Sequence, residues 1–188
     1  MTETPNPHIV DTDTMTGEMR PIRQAVLSLG SNLGERFTTL QGALNALADT
    51  PEVTVVTVSP VYETAPVDSP ADAKDFLNIV VLLDTTLAVH TLLDRALAVE
   101  DAFGRVRSEH HNAPRTLDVD LVVVGERIAD DADLKLPHPR AHERAFVLRP
   151  WLDVDPEAYI PGHGHVVDLI GKVDTSGVHR RDDLQLDL

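Results

Sequence analysis

The chain has no cysteine and few aromatics: one tryptophan, two tyrosines and four phenylalanines in 188 residues. Without cysteine there is neither a disulfide framework nor a thiolate metal site. No apolar run is long enough to span a membrane, and the Thr/Pro/Asp/Glu-rich opening lacks the apolar core of a signal peptide. The expected compartment is the cytoplasm. Positive charge is scarce as well. A net charge of -15 argues against general binding to nucleic acid or an acidic membrane.

The positive charge present is mostly arginine, and it is clustered. Seven of 13 arginines fall between Arg105 and Arg149, against three lysines in the whole chain. In an acidic protein such a cluster suits a compact anion rather than a polymer, although single arginines more often pair with surface acids.

The stretch that organises the rest runs from residue 104 to 124 and reads GRVRSEHHNAPRTLDVDLVVV. Its Val-rich end predicts a buried strand. Alternation sends Asp118 and Asp120 to one face, continued by Val122 and Val124, and Leu117, Val119 and Leu121 to the other. Two carboxylates about 7 Å apart on one strand face need counter-charge. An ion pair with Arg105, Arg107 or Arg115 would supply it. So would Mg²⁺, which takes one or two carboxylates plus water and phosphate oxygens, with arginines clamping the phosphates. A bare Asp-x-Asp does not decide between them.

Along the chain, residues 1–22 and 174–188 read as tails around one domain at 23–173, with a few late apolar residues able to dock. A strand at 24–29 enters GSNLG and a helix at 35–48, with Phe37, Leu40, Leu44 and Leu47 on one face. GSNLG has neither a Walker lysine nor dinucleotide-fold glycine spacing, so a structural turn is its plainest reading. Residues 53–59 form a strand that Pro60 interrupts, and 61–64 resume it at an edge. FLNIVVLLD at 76–84 is a second apolar strand, in which Asn78 must bond backbone or read a ligand. A helix follows from the Thr86 cap to Phe103, with Val89, Leu92, Leu93, Ala96, Leu97 and Phe103 as its stripe. Residues 134–139 are extended, and 141–148 form a short helix with His142, Arg144 and Phe146. The order β-α-β-β-α-β predicts an α+β fold: a ferredoxin-like sandwich with a mostly antiparallel central sheet and flanking helices.

LSLGSNLGER, Tyr62-Glu63-Thr64-Ala65-Pro66, Phe76-Leu77-Asn78, GRVR…PRTLDVDLV and LPHPRAHERAFVLRPWLDVDPE come in one order. Together, over about 25–161, they resemble the 6-hydroxymethyl-7,8-dihydropterin pyrophosphokinases of folate biosynthesis. The resemblance implies transfer of the terminal pyrophosphate of ATP to the pterin hydroxymethyl oxygen, releasing AMP. It implies that Asp118 and Asp120 hold two Mg²⁺ ions. Arg105 and Arg107 would bind phosphate on a loop that closes over the nucleotide, with Arg115 beside the metal strand. Glu100, His111, Leu121, His138 and Arg144 would lie on the ATP side. Phe76 and Phe146 would stack on the pterin, with Asn78, Thr64 and Val67 at its edge. The expected partners are these two small molecules, with no nucleic acid or membrane, and the expected state is a monomer.

There are departures from the family pattern. His111-Asn112-Ala113 replaces a common Arg-Trp-Gly, Ala65 stands where Pro is frequent, and Pro139 where an aromatic can follow the His. No general base is singled out. Two other readings remain at this point. One is a different Mg²⁺-dependent phosphotransferase or nucleotidyltransferase that releases pyrophosphate; the other is a nucleotide- or metal-sensing module without turnover.

Overall fold

The computed structural model describes residues 10–12, 19–66, 73–104 and 116–188. Two short strands, β1 (Val10–Thr12) and β2 (Met19–Pro21), pair antiparallel ahead of the main sheet. Part of the segment read as a tail to residue 22 is thus ordered locally. Arg20 Nη1 ties it to Glu52 Oε1 at 2.8 Å. Its polar composition shows no strand alternation, which is why sequence alone does not reveal the pairing.

The body begins with β3 (Arg23–Ser31), α1 (Arg36–Ala48), β4 (Val53–Val58) and β5 (Tyr62–Thr64). Next come β6 (Phe76–Thr85), α2 (Val89–Gly104) and β7 (Asp118–Val124). Across the sheet the order is β7-β3-β6, with β4 and β5 both on the outer side of β6, and every pairing is antiparallel. This is the expected α+β arrangement. Both helices cross the same face. Their residues Leu40, Leu44, Leu47, Leu92, Ala96 and Val99 close over Leu27, Leu29, Ile79, Val81 and Leu83, all buried. Leu97 and Phe103 depart from the predicted stripe and are exposed. The Phe103 ring nevertheless lies against Gly42 of α1, where an added Cβ would fall 2.5 Å from its Cε1.

Pro60 breaks the edge strand as its missing N–H requires. Ser59 covers the gap: its N–H donates to the Val80 carbonyl, and its Oγ accepts the Val80 N–H, each at 2.9 Å. One edge therefore carries β4 and β5 in succession along β6.

The other face of the sheet is covered over half its length. After β8 (Ala129–Asp130) and β9 (Lys135–Leu136) come a 3-10 turn, Ala141–Glu143, and α3 (Ala145–Val154). A hairpin of β10 (Tyr159–Ile160) and β11 (Gly164–His165) leads into α4 (Val166–Leu169). Val147, Leu148, Trp151, Ile160 and Val166 pack there on Val26, Val80, Leu82, Val122 and Val123. Beyond α4 the chain does not trail away. β12 (Val178–Arg180) adds itself antiparallel to β5, which corrects the reading of 174–188 as a tail. Three residues seeking a partner more than a hundred positions away leave little local signal.

Strand β7 departs from strict alternation. Leu27 pairs with Leu121 and Val26 with Val123, so Val122 is a surplus bulged residue. Val122 and Val123 both join the α3 side, and Val124 passes to the α1/α2 core. The expectation that Val124 continues the Asp118 face fails for that reason. No helix among the described residues is long and apolar enough to cross a membrane.

Candidate active site

Past its covered half, the sheet face turns polar and small. Gly30 stands in register between Asn78 of β6 and Asp118 of β7, and Ser28 between Val80 and Asp120. Partners in antiparallel register share a face. Asn78 and Asp118 therefore flank Gly30 on one floor, two strand spacings or about 9–10 Å apart. Above them opens a cleft of about 880 Å³, walled by Thr64, Phe76, His138, Arg144 and Phe146.

At one end, Asn78 is buried to 3 % exposure and donates from Nδ2 to Thr64 Oγ1 at 2.6 Å. That bond fixes the amide, and its Oδ1 faces Gly30, where an added Cβ would come within 2.8 Å. Only glycine leaves the amide undisturbed at this floor position. Phe76 and Phe146 contribute an aromatic ring each, from β6 and α3. The arrangement offers flat faces with a polar reader between them, the chemistry a heteroaromatic ring requires.

At the other end stand Asp118 and Asp120. Arg144 Nη1 lies 3.8 Å from Asp120 Oδ2, while its guanidinium carbon sits 5.5 Å from the Phe146 ring centroid. This arginine thus touches both ends of the cleft. His138 arrives through the β7 bulge, its N–H donating to the Val122 carbonyl at 2.8 Å, just after a cis Leu136-Pro137 bond. Its Nδ1 accepts the Arg140 N–H at 3.1 Å, which leaves Nε2 for a ligand. Burial lowers the His138 pKa, and Arg144 and Arg140 add to this against the pull of Asp120. The imidazole is held neutral near pH 7.

Among the described residues no group of three or more acids and histidines could hold a metal. A pair of strand carboxylates, with Asp120 43 % exposed, is the donor set of a hydrated Mg²⁺ that takes its other ligands from water and phosphate. The residues present fit that ion.

Ten of the expected residues are thus placed in the described structure, and eight of them meet in the cleft: Thr64, Phe76, Asn78, Asp118, Asp120, His138, Arg144 and Phe146. Two others stand apart. Glu100 is buried on α2, and its Oε1 accepts the Val119 N–H at 3.1 Å, directly behind the acid strand. The Leu121 side chain lies in the core under α1 and α2. Val67, Arg105, Arg107, His111 and Arg115 lie outside the described residues. Sequence reasoning missed Ser28 and Gly30, although small residues alternating with Leu27 and Leu29 were a usable signal. It also missed Asp174, Ser176, Gly177 and Val178, which line the cleft from the far end of the chain.

A family model described as 7,8-dihydro-6-hydroxymethylpterin-pyrophosphokinase matches residues 26–156. The 2-amino-4-hydroxy-6-hydroxymethyldihydropteridine pyrophosphokinase of Pseudomonas aeruginosa is 41% identical over 159 residues, which cover 85% of this chain and 97% of that protein. The protein of the same name from Mycobacterium leprae is 46% identical over 160 residues, 78% of this chain and 81% of that one. Among solved structures, the wild-type Plasmodium falciparum HPPK-DHPS with pterin and p-hydroxybenzoate superposes with a TM-score of 0.62 at 14% identity. That match covers 84% of this chain and 44% of the longer one, so this chain spans less than half of it.

Proposed function

Since the chain belongs to the 7,8-dihydro-6-hydroxymethylpterin-pyrophosphokinase family, and is by that membership a pyrophosphokinase of folate biosynthesis, we propose how its cleft divides the work. The pterin lies at the Asn78 end and the triphosphate at the Asp118/Asp120 end. ATP gives up its terminal pyrophosphate to the pterin hydroxymethyl oxygen, and AMP leaves.

The observation that carries this reading is the floor itself, with a pinned amide and an acid on either side of Gly30. A ring held flat between Phe76 and Phe146, with its edge on Asn78 and Thr64, sends a short substituent across Gly30 toward the acids. Holding two reactants this way turns a bimolecular encounter into an intramolecular one. Asp118 and Asp120 would hold magnesium, two ions in our reading. When bound, that metal supplies charge neutralisation and alignment of attacking and leaving oxygens. Arg144 offers a guanidinium that reaches phosphate and also lies 5.5 Å from the Phe146 ring centroid, so both substrates order one side chain. His138, neutral and oriented through Nδ1, donates from Nε2 to a nucleotide oxygen. Arg105, Arg107, Arg115 and His111 complete the phosphate grip in this proposal, Val67 adds backbone to the ring edge, and Glu100 and Leu121 support the nucleotide from behind β7. The acidic surface suits a cytoplasmic monomer with small-molecule partners only.

The test follows ATP by separating AMP, ADP and pyrophosphate, with and without 6-hydroxymethyl-7,8-dihydropterin, in Mg²⁺ and in EDTA. AMP that requires both pterin and Mg²⁺ is the expected result. Pyrophosphate release, or AMP formed without pterin, would reject it.

A further inference from the structure

The family match stops at residue 156, yet the chain continues for another 32 residues and returns to the cleft. The last of these residues follow a definite path. Asp174 Oδ1 accepts the Ser176 N–H at 2.9 Å, and the Val178 N–H donates to the Thr175 carbonyl at 3.1 Å, so 174–178 is a tight turn. Its inner side, including Ser176 and Gly177, lines the same cleft as Thr64 and Phe146. From there β12 runs along β5 with Val178 opposite Thr64, His179 opposite Glu63 and Arg180 opposite Tyr62. The strand that carries Thr64, the partner of Asn78, is therefore held on both edges rather than one.

The ties beyond the backbone converge on the same two walls. Arg181 donates its N–H to the Val61 carbonyl at 2.8 Å and places Nη1 2.7 Å from Glu63 Oε2. Glu63 also receives Arg36 Nη2 at 2.8 Å, and Arg36 Nη1 donates to the Asp75 carbonyl at 2.8 Å. One carboxylate thus links the C-terminal segment to both stems of the connection between β5 and β6. On the other wall, the Tyr62 hydroxyl donates to Asp153 of α3, which also binds Arg149 and stands 3.8 Å from Arg180. Helix α3 carries Phe146. Further on, Gln41 and Asp187 exchange reciprocal hydrogen bonds of 2.9 Å, and Leu184 and Leu186 pack on the core, which anchors the segment around α1.

From this arrangement we infer that residues 174–181 are a specificity element of the reaction: the turn closes the ring end of the cleft, and Arg181 and Arg180 set the spacing between the Thr64 and Phe146 walls. Ser176 and Gly177 face the ring and select a flat bicycle of limited width. Arg180 and Arg181 act as positioning residues through Glu63 and Asp153. The inference rests on the assignment of the ring to the Asn78 end.

It is tested on the full-length protein with three variants. Gly177→Trp fills the wall, and a side chain is admissible there because an added Cβ meets no atom within 4 Å. Arg181→Met removes the clamp, and Asn78→Ala controls for the location of the ring. Binding of 6-hydroxymethyl-7,8-dihydropterin and of a non-hydrolysable ATP analogue with Mg²⁺ is titrated separately, alongside melting temperature and steady-state kinetics. Gly177→Trp is expected to weaken the pterin roughly tenfold or more while nucleotide binding stays within about twofold. Arg181→Met is expected to raise the pterin KM with kcat nearly unchanged. Wild-type pterin affinity in both variants, with Asn78→Ala impaired, would overturn the inference and leave the ring assignment standing. Equal loss of pterin and nucleotide would also overturn it, reducing the segment to a structural strap. Unchanged pterin binding in Asn78→Ala would remove the assignment on which it rests.

Discussion

One face of the sheet has two halves built from the same strands. In the covered half, Val26, Val80, Leu82, Val122 and Val123 lie under α3 and α4 with Trp151 2 % exposed. In the open half, two to four residues further along each strand, stand Ser28, Gly30, Asn78, Asp118 and Asp120. Backbone pairing runs through both without interruption on the β3–β6 side. The difference is made by side chains alone. Bulky apolar groups recruit a helix; small and polar ones repel it and leave space that only a ligand can fill. A site of this kind draws its rigidity from the half it does not occupy.

Breaking either half should therefore give opposite phenotypes. Asp118→Ala and Asp120→Ala are expected to lower turnover by about 10³-fold or more, as removal of preorganised charge at transferring phosphates does, with the melting temperature close to wild type; near-normal activity in either would detach the acids from the reaction. Trp151→Ala should do the reverse. Truncating a large buried side chain costs about 3–5 kcal/mol, which chemical denaturation measures, while kcat at a temperature where the variant is folded stays near wild type. A fall in kcat without loss of stability would show that the covered half acts on chemistry directly.

Gly30→Ala sharpens the comparison at its boundary. The added methyl meets Asn78 Oδ1 at 2.8 Å and cannot be accommodated unless the amide leaves Thr64. The pterin KM should rise by roughly tenfold with the ATP KM little changed, and equal effects on both would contradict the division of the cleft.

The smallest effect belongs to the covering layer. His142 and His163 stack with ring centroids 3.8 Å apart at 11°. Burial, and then the neighbouring His142, lower the His163 pKa from 6.5. The folded protein accordingly holds fewer protons there than the unfolded chain. The stabilising contribution is complete above that value and is lost as the pH falls below it toward the folded pKa. Melting temperature should decline across that window, and less steeply in His163→Gln. An identical slope in the variant would assign the decline to other groups.

Much of this was legible in the sequence where the signal is local. The acid strand, the broken edge at Pro60, both crossover helices and the conspicuous Asn78 follow from alternation, helical spacing and residue chemistry. What was not legible depends on partners distant in the chain. Leu97 and Phe103 have the right period for a core stripe, yet both stay exposed, and Phe103 packs its ring on Gly42 of α1 instead of on the sheet. Val124 has the right parity for the acid face until register with β3 shows Val122 to be surplus. The turn at 174–178 carries no motif at all, because its role is set by β5, a strand more than a hundred residues earlier.

The surplus valine in β7 gives the protein an unusual sensitivity to its own spelling. Upstream of Val122 the odd-numbered positions face α1 and α2, whereas Val124 shows that the parity has reversed, and the carbonyl released at the switch is the one that seats His138. Losing a single codon there would produce a smoother strand in which Val123 and Val124 keep Val26 and Ala25 as partners while the histidine has no anchor.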